Sequence, residues 1–141
     1  MDPRGLIPAL QDVAANFSRQ TGIKAEFANP GADVNLLPDQ EVQVFHIVQE
    51  ALANVSKHSR ARHVRISAER AGEQYVVTVE DDGIGLRGTG QTGVGMHFGM
   101  NIMRERAARL GGTVDVVSRA GELTRVQVRF PALSQRRVRT A

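Results

Sequence analysis

The sequence predicts an α+β fold, a two-layer sandwich in which about three helices cover one face of a mixed, mainly antiparallel sheet. Three stretches repeat apolar residues at helical spacing, and four or five shorter stretches alternate apolar and polar residues. Most of the alternating stretches come in adjacent pairs joined by turn residues, which is typical of hairpins. At 141 residues the chain is long enough for one domain with a buried core.

The first helix is predicted over residues 5–18, and Thr21-Gly22 ends it. Its apolar positions share one helical face: Leu6, Leu10, Val13 and Phe17. Residues 23–28 then alternate apolar with charged residues, which predicts a short strand with one buried face.

The second helix is predicted from about Asp39 to Lys57, after Pro38 at its first position. Acidic residues in its opening turn suit the positive end of the helix dipole. Its predicted core stripe consists of Phe45, Val48, Leu52 and Val55.

Two hairpins complete the predicted sheet. The first joins the strand around residues 64–69 to the strand Tyr75 to Glu80, and the second joins Thr113–Ser118 to Thr124–Phe130. Between the hairpins, residues 83–98 hold six glycines without a clear period, which predicts a functional lid or a disordered stretch. A third helix follows over residues 100–110 and stops at Gly111-Gly112.

Composition narrows the class of protein. The chain has no cysteine, which excludes disulfides, thiolate metal sites and cysteine nucleophiles. No stretch is long and apolar enough to span a membrane, and the first residues lack a signal-peptide pattern. The formal charge of +3 equals the contribution of Arg136, Arg137 and Arg139, so nucleic-acid binding is not favoured. We expect one domain over residues 1–133 and a basic, disordered tail over residues 134–141.

A polar stripe lies on the second predicted helix. Glu50 and Asn54 are four residues apart, and Lys57 and His58 lie one turn further along, so the helical repeat brings all four near one another. Such a stripe is often no more than a solvent-facing surface. Asparagine is a middling helix former, however, and its presence favours a specific role.

The sequence predicts a carboxylate on the core-facing side of a strand, at the end of that strand. Asp81 shares a face with Tyr75, Val77 and Val79 by the period of two, and a carboxylate on that face needs a hydrogen-bonding partner. Such a carboxylate can accept a hydrogen bond from the exocyclic amine of adenine. Gly83 and Gly85 would let the backbone approach a ligand closely, although Asp-Gly is also an ordinary turn.

The third pattern is a glycine-rich segment, residues 92–99, that runs directly into the third predicted helix. Backbone amides at a helix N-terminus suit a phosphate group. The segment is not a Walker loop, because the chain contains neither Gly-Lys-Ser nor Gly-Lys-Thr.

Taken in order and spacing, these three patterns resemble the GHKL ATPase superfamily. Glu50, Asn54, Lys57 and His58 match its N box, residues 81–85 its G1 box, and residues 93–99 its G2 region. The segments 50–58 and 98–107 more narrowly resemble bacterial two-component sensor histidine kinases of the nitrate/nitrite-sensor group. The resemblance covers nearly the whole chain and implies the Bergerat ATP-binding fold.

The resemblance also implies roles for individual residues. Asn54 would coordinate a Mg²⁺ ion that bridges the ATP phosphates, Glu50 would act as general base, and Lys57 would stabilise charge, with His58 near the phosphates or ribose. Asp81 would accept the adenine amine, and Thr124 would assist through water. The remaining implied nucleotide-binding residues are Gly83, Gly85, Gly93, Gly95, Gly99 and Met100. Leu123 stands where the family commonly has a second glycine, which makes the role of Thr124 less secure.

The resemblance implies the catalytic domain of a protein histidine kinase. No histidine of this sequence lies in a phosphoacceptor context, so the partners implied are ATP, a separate dimerisation and phosphoacceptor domain, and a downstream response regulator. A monomeric domain in the cytoplasmic part of a membrane-bound sensor is expected. The alternatives are an anti-sigma-factor serine kinase, which the 102–107 segment disfavours, and a non-catalytic interaction module, which intact Glu50, Asn54 and Asp81 disfavour. Gyrase-like and chaperone-like ATPases are disfavoured by the short lid.

Overall fold

The computed structural model describes residues 4–83, 94–119 and 123–132. The elements, in chain order, are α1 Leu6–Thr21, β1 Lys24–Phe27, α2 Pro38–Asn54 with a π-helical turn Val55–Ser59, β2 His63–Ala71, β3 Gln74–Asp81, α3 Val94–Arg109, β4 Thr113–Arg119 and β5 Leu123–Pro131. This is the predicted order of elements. No helix among the described residues is long and apolar enough to cross a bilayer.

The five strands form one mixed sheet in the order β1-β2-β3-β5-β4. Both predicted hairpins are present: β2 pairs antiparallel with β3, and β4 pairs antiparallel with β5. The pairing of β3 with β5 is also antiparallel, whereas the four-residue strand β1 pairs parallel with β2 at the edge. The predicted α+β class and mainly antiparallel sheet are therefore confirmed.

The core lies between the sheet and the helices. In the central strands β2, β3 and β5, most alternate residues are buried against the helical layer, as with Ile66, Val79 and Val126, which stand side by side on neighbouring strands. The opposite face of the sheet is mostly polar, with Arg125 bonded to Glu80 at 2.9 Å and Gln127 bonded to Thr78 at 3.1 Å. A polar face of this kind can be exposed to solvent without a second layer packed against it.

Two helices differ from their predicted form. In α2, three residues of the predicted core stripe are buried as predicted, namely Val48, Leu52 and Val55. Val44 and Ile47 are buried beside them, whereas the predicted Phe45 is only half-buried and packs on the rim of the core. The regular helix ends at Asn54, because a π-helical turn replaces its predicted last turn. Helix α3 begins at Val94 instead of Met100, since its glycines take helical geometry despite their low helix propensity.

The turn between α3 and β4 passes directly over β5. Gly111 takes a positive φ of 73°, and the N–H of Gly112 donates to the carbonyl of Ala107 at 2.9 Å. A Cβ on Gly112 would lie 1.9 Å from the carbonyl oxygen of Arg129, a distance at which backbone must move. The close approach explains why the helix can end and the next strand begin without an intervening loop.

Replacing Gly112 by alanine should therefore destabilise the protein by about 2–3 kcal/mol, because the new methyl group overlaps backbone that cannot move as a side chain can. Urea unfolding measures the effect. The control is Gly31→Ala, since nothing lies within 4 Å of a Cβ at Gly31 and its φ is not positive. Equal stability of the two variants would contradict the close approach.

Candidate functional site

Asp81 lies at the carboxyl end of β3, on the sheet face that the helices cover. It follows Val77 and Val79 on this face and is only 4% exposed. Its Oδ1 accepts a hydrogen bond from the backbone N–H of Gly83 at 2.8 Å. A buried carboxylate requires a hydrogen-bond donor, and this N–H group is one. The predicted position of Asp81 on the core-facing side of the strand is therefore confirmed.

Thr124 stands beside Asp81 on the next strand. The two residues are paired in the register of β3 and β5, and Thr124 is 9% exposed. On the other side of Asp81 the paired residue is the buried Val64 of β2. The structure thus brings the predicted Asp81 and Thr124 together as a polar end to an otherwise apolar row of side chains.

Glu50 and Asn54 lie half-buried on the last turns of α2. On the same helix, seven residues before Glu50, Gln43 accepts a hydrogen bond from Arg106 of α3 at 3.2 Å. Residues seven apart share a helix face, so Glu50 follows Gln43 on the side of α2 that α3 packs against. Helix α2 also contacts β3, the strand that ends in Asp81.

Lys57 lies on a different side of α2 from Glu50 and Asn54. Its exposed side chain borders a groove of about 470 Å³ between α1 and α2, together with Gln49 and Ala53 but with neither Glu50 nor Asn54. The π-helical turn is the physical reason, because it takes more residues per turn and so rotates the residues after Asn54 around the helix axis. The side chain of His58 lies outside the described residues, and the roles of both residues stay predictions.

The predicted glycines fall into three groups. Gly83 is buried and donates its N–H to Asp81. Gly95 and Gly99 lie in the first two turns of α3, and Met100 follows them, half-buried against the core. Gly85 and Gly93 lie outside the described residues.

Asp82 is a connecting residue that the sequence patterns did not identify. Its Oδ1 accepts hydrogen bonds from the backbone N–H groups of Arg62 and His63, both at 2.9 Å, and its Oδ2 lies 3.0 Å from Nδ1 of His63. It therefore ties the chain leaving α2 to the end of β3. The available signal was the Asp81-Asp82 doublet itself, because neighbouring strand residues point to opposite faces.

The hydrogen bonds of Asp82 also affect its titration. Partial burial works to raise the pKa of Asp82, but the backbone and side-chain hydrogen bonds from His63 and the bond from Arg62 outweigh it and lower the pKa from its usual value of 3.8. A carboxyl whose pKa falls on folding stabilises the fold above its unfolded pKa. This contribution is lost as the pH falls through the lowered pKa.

Replacing Asp82 by alanine should lower the free energy of unfolding by about 1 kcal/mol at pH 7, since two backbone N–H groups lose their acceptor at a site partly open to water. The difference from the wild type should shrink as the pH falls from about 4, the ordinary pKa of an aspartate, through the lowered pKa at which the native carboxyl becomes protonated. Denaturation at several pH values measures both effects. A difference that stays constant down to pH 2 would contradict the role of the charge.

Comparison with known proteins agrees with this arrangement. Residues 39–134 match the model of the family described as histidine kinase-, DNA gyrase B- and HSP90-like ATPase. The signal transduction histidine-protein kinase/phosphatase DegS of Brevibacillus brevis is 30% identical over 135 residues, 96% of this chain and 34% of the relative. The nitrate/nitrite sensor protein NarX of Escherichia coli is 34% identical over 129 residues, 89% of this chain and 21% of the relative.

The fold agrees as well. The histidine kinase domain of a blue-light activated histidine kinase from Erythrobacter litoralis superposes with a TM-score of 0.75 at 25% identity, covering 95% of this chain and 64% of that one. The chain spans about a third or less of the curated relatives named above. The family match includes α2, β3 and β5, the elements that carry Glu50, Asn54, Asp81 and Thr124. The chain therefore belongs to the family of histidine kinase-, DNA gyrase B- and HSP90-like ATPases.

Proposed function

We propose that this chain is the ATP-binding catalytic domain of a two-component sensor histidine kinase, which transfers the γ-phosphate of ATP to a histidine on a dimerisation domain. The observation that supports it most strongly is the buried carboxylate of Asp81, held at the end of β3 beside Thr124 and below the helical layer. Relatives named as sensor histidine kinases over nearly all of this chain support the choice among the activities of the family.

At the base end of the site, Asp81 accepts a hydrogen bond from the exocyclic amine of adenine. An ionised carboxylate offers about four acceptor positions, so Asp81 can accept from a ligand as well as from the N–H of Gly83. Thr124 assists through a bridging water, since a hydroxyl can both donate and accept. Guanine presents a carbonyl oxygen at the corresponding position, which repels the carboxylate.

At the phosphate end, α2 and α3 run in opposite directions. Strands β2 and β4 point in opposite directions within the sheet, and each follows its helix after a short turn. The contact of Gln43 with Arg106 gives a common reference point on the two helices. Glu50 lies seven residues after Gln43 on α2, and Gly99 lies seven residues before Arg106 on α3. Because the helices are antiparallel, both residues lie about 10 Å from the contact in the same direction. The first turns of α3 thus lie level with Glu50 and Asn54, and their backbone amides suit a phosphate.

The donor set of this region fits Mg²⁺ held partly by nucleotide. Among the described residues no three His, Asp or Glu side chains come together as a metal cage. Mg²⁺ commonly binds one or two protein oxygens and completes its octahedron with phosphates and water. The amide oxygen of Asn54 can be one of these protein ligands. The ion, when bound, supplies positive charge that stabilises the negative charge of the transferring phosphoryl group.

The transfer itself needs a positioned proton acceptor. The unprotonated ring nitrogen of the acceptor histidine attacks the γ-phosphorus, and the bond to the bridging oxygen breaks with its electron pair leaving on ADP. Glu50 accepts the proton from the other ring nitrogen as general base. Lys57 and His58 would add charge near the phosphates or ribose, and Gly83, Gly85, Gly93, Gly95, Gly99 and Met100 would shape the pocket.

The wider context of the domain is part of the same proposal. The partners are ATP, the dimerisation domain that carries the acceptor histidine, and a response regulator that receives the phosphate next. The isolated domain is monomeric and belongs to the cytoplasmic part of a membrane-bound sensor.

The test mixes this chain with the dimerisation domain encoded by the same full-length gene and γ-labelled ATP with Mg²⁺. Label should appear on the dimerisation domain in a form that survives base and is lost in acid, as a phosphorylated histidine does. Acid-stable label on serine would instead indicate the serine-kinase alternative. If titration calorimetry at millimolar nucleotide showed no heat, the chain would be an interaction module.

A further inference from the structure

A side-chain hydrogen bond links the two helices that flank the proposed phosphate region. Gln43 of α2 is 7% exposed, and its Oε1 accepts from Nη1 of the half-buried Arg106 of α3 at 3.2 Å. Arg106 lies in the last turn of α3, where its charge also suits the negative end of the helix dipole. A bond from a guanidinium is stronger than one between neutral groups, so the contact holds the helices in one register.

We infer that Gln43 and Arg106 are positioning residues for phosphoryl transfer, which keep the first turns of α3 opposite Glu50 and Asn54. The inference rests on the proposed function. Neither residue reaches the nucleotide, because each lies about 10 Å along its helix from the proposed phosphate region. Their effect is carried by the two helices, which are rigid elements.

Apolar packing and the hydrogen bond act together on this register. Ile47, Met103 and Ala107 are fully buried in the core cluster, and their apolar contacts are non-directional. The hydrogen bond adds a directional constraint, because it weakens steeply when the donor and the acceptor move out of line. Misplacement of catalytic groups by about 1 Å is enough to slow a reaction severely, so a contact that fixes the register has a large effect on transfer.

The test compares Gln43→Leu, Arg106→Met and the double variant with the wild type. Binding of ADP and of a non-hydrolysable ATP analogue is measured by calorimetry with Mg²⁺, and folding is checked by thermal unfolding. The measured quantity is the ratio of the dissociation constant of ADP to that of the analogue. We expect this ratio to fall roughly tenfold in each single variant, because the groups of α2 and α3 that contact the γ-phosphate are no longer aligned. The double variant should be no worse than either single variant, because both remove the same contact.

Two further variants separate positioning from general damage. Gln43→Glu keeps an acceptor opposite Arg106 and should retain the wild-type preference for the analogue. Arg109→Met removes a neighbouring exposed arginine from the same turn of α3 and should also leave the preference intact. A wild-type preference in folded Gln43→Leu, or an equal loss of ADP and analogue binding, would overturn the inference. Failure of the wild type to bind any nucleotide would instead reject the proposed function, and the inference with it.

Discussion

Replacing Asp81 by asparagine should weaken ATP binding by about 10- to 100-fold, the loss that follows when a hydrogen bond to a charged group is replaced by a poorer one. The carboxylate accepts from the adenine amine in our proposal, whereas the amide of asparagine can turn its NH₂ group toward the base. Calorimetric titration with an ATP analogue and Mg²⁺ measures the change. Thermal unfolding should show a fold that is retained, because asparagine keeps an oxygen for the N–H of Gly83.

Base selectivity gives a second readout that a structural defect would not produce. ITP carries a carbonyl oxygen where ATP carries its amine, so the wild type should prefer ATP and Asp81→Asn should lose most of that preference. Asp82→Asn is the matched control, because Asp82 is adjacent but bonds to Arg62 and His63 on the outside of the site. If Asp81→Asn bound ATP as well as the wild type, Asp81 could not be the adenine acceptor.

Replacing Glu50 by glutamine should lower the rate constant of phosphoryl transfer by a factor of about 100 or more while changing nucleotide affinity little. Glutamine keeps the size of the side chain and its place on α2 but cannot accept the proton. The rate is measured with the dimerisation domain and labelled ATP under single-turnover conditions. Because α2 and α3 remain packed, the melting temperature should not change.

Gln49→Ala provides the control for Glu50. Gln49 is its neighbour on α2, but it borders the groove toward α1 and lies away from α3. This variant should transfer phosphate at the wild-type rate. A Glu50→Gln variant that transferred as fast as Gln49→Ala would remove Glu50 from the role of general base.

The parts of the fold that the sequence predicted are those governed by local periodicity. The period of two placed Asp81 on the inner face with Val77 and Val79, and the paired alternating segments predicted both hairpins. The pairing of β1 with β2 is different, because β1 is short and its partner lies after a whole helix. Local pattern carries no information about such a contact.

The sequence could not place those site residues whose position depends on which side of a helix they face. Helical spacing grouped Lys57 with Glu50 and Asn54, but the π-helical turn moved Lys57 to the rim of the α1–α2 groove. Phe45 looked like core for a related reason, since Val44 beside it is equally apolar and only packing decides which one is buried. Asp82 was missed because its partners lie around the start of another strand: they are the backbone N–H groups of Arg62 and His63 and the ring of His63, which no local pattern connects to it.

The parallel edge strand has a consequence for how the domain opens. β1 is held to β2 by a ladder of only four residue pairs, and α1 and β1 precede residues 39–134, the part that matches the family. Short ladders at a sheet edge open at lower free energy than central strands. We therefore expect β1 to open more readily than the central strands, whereas α1 stays anchored in the core through Leu6, Leu10 and Phe17. Opening of β1 alone would leave β3, β5 and the Asp81 carboxylate in place.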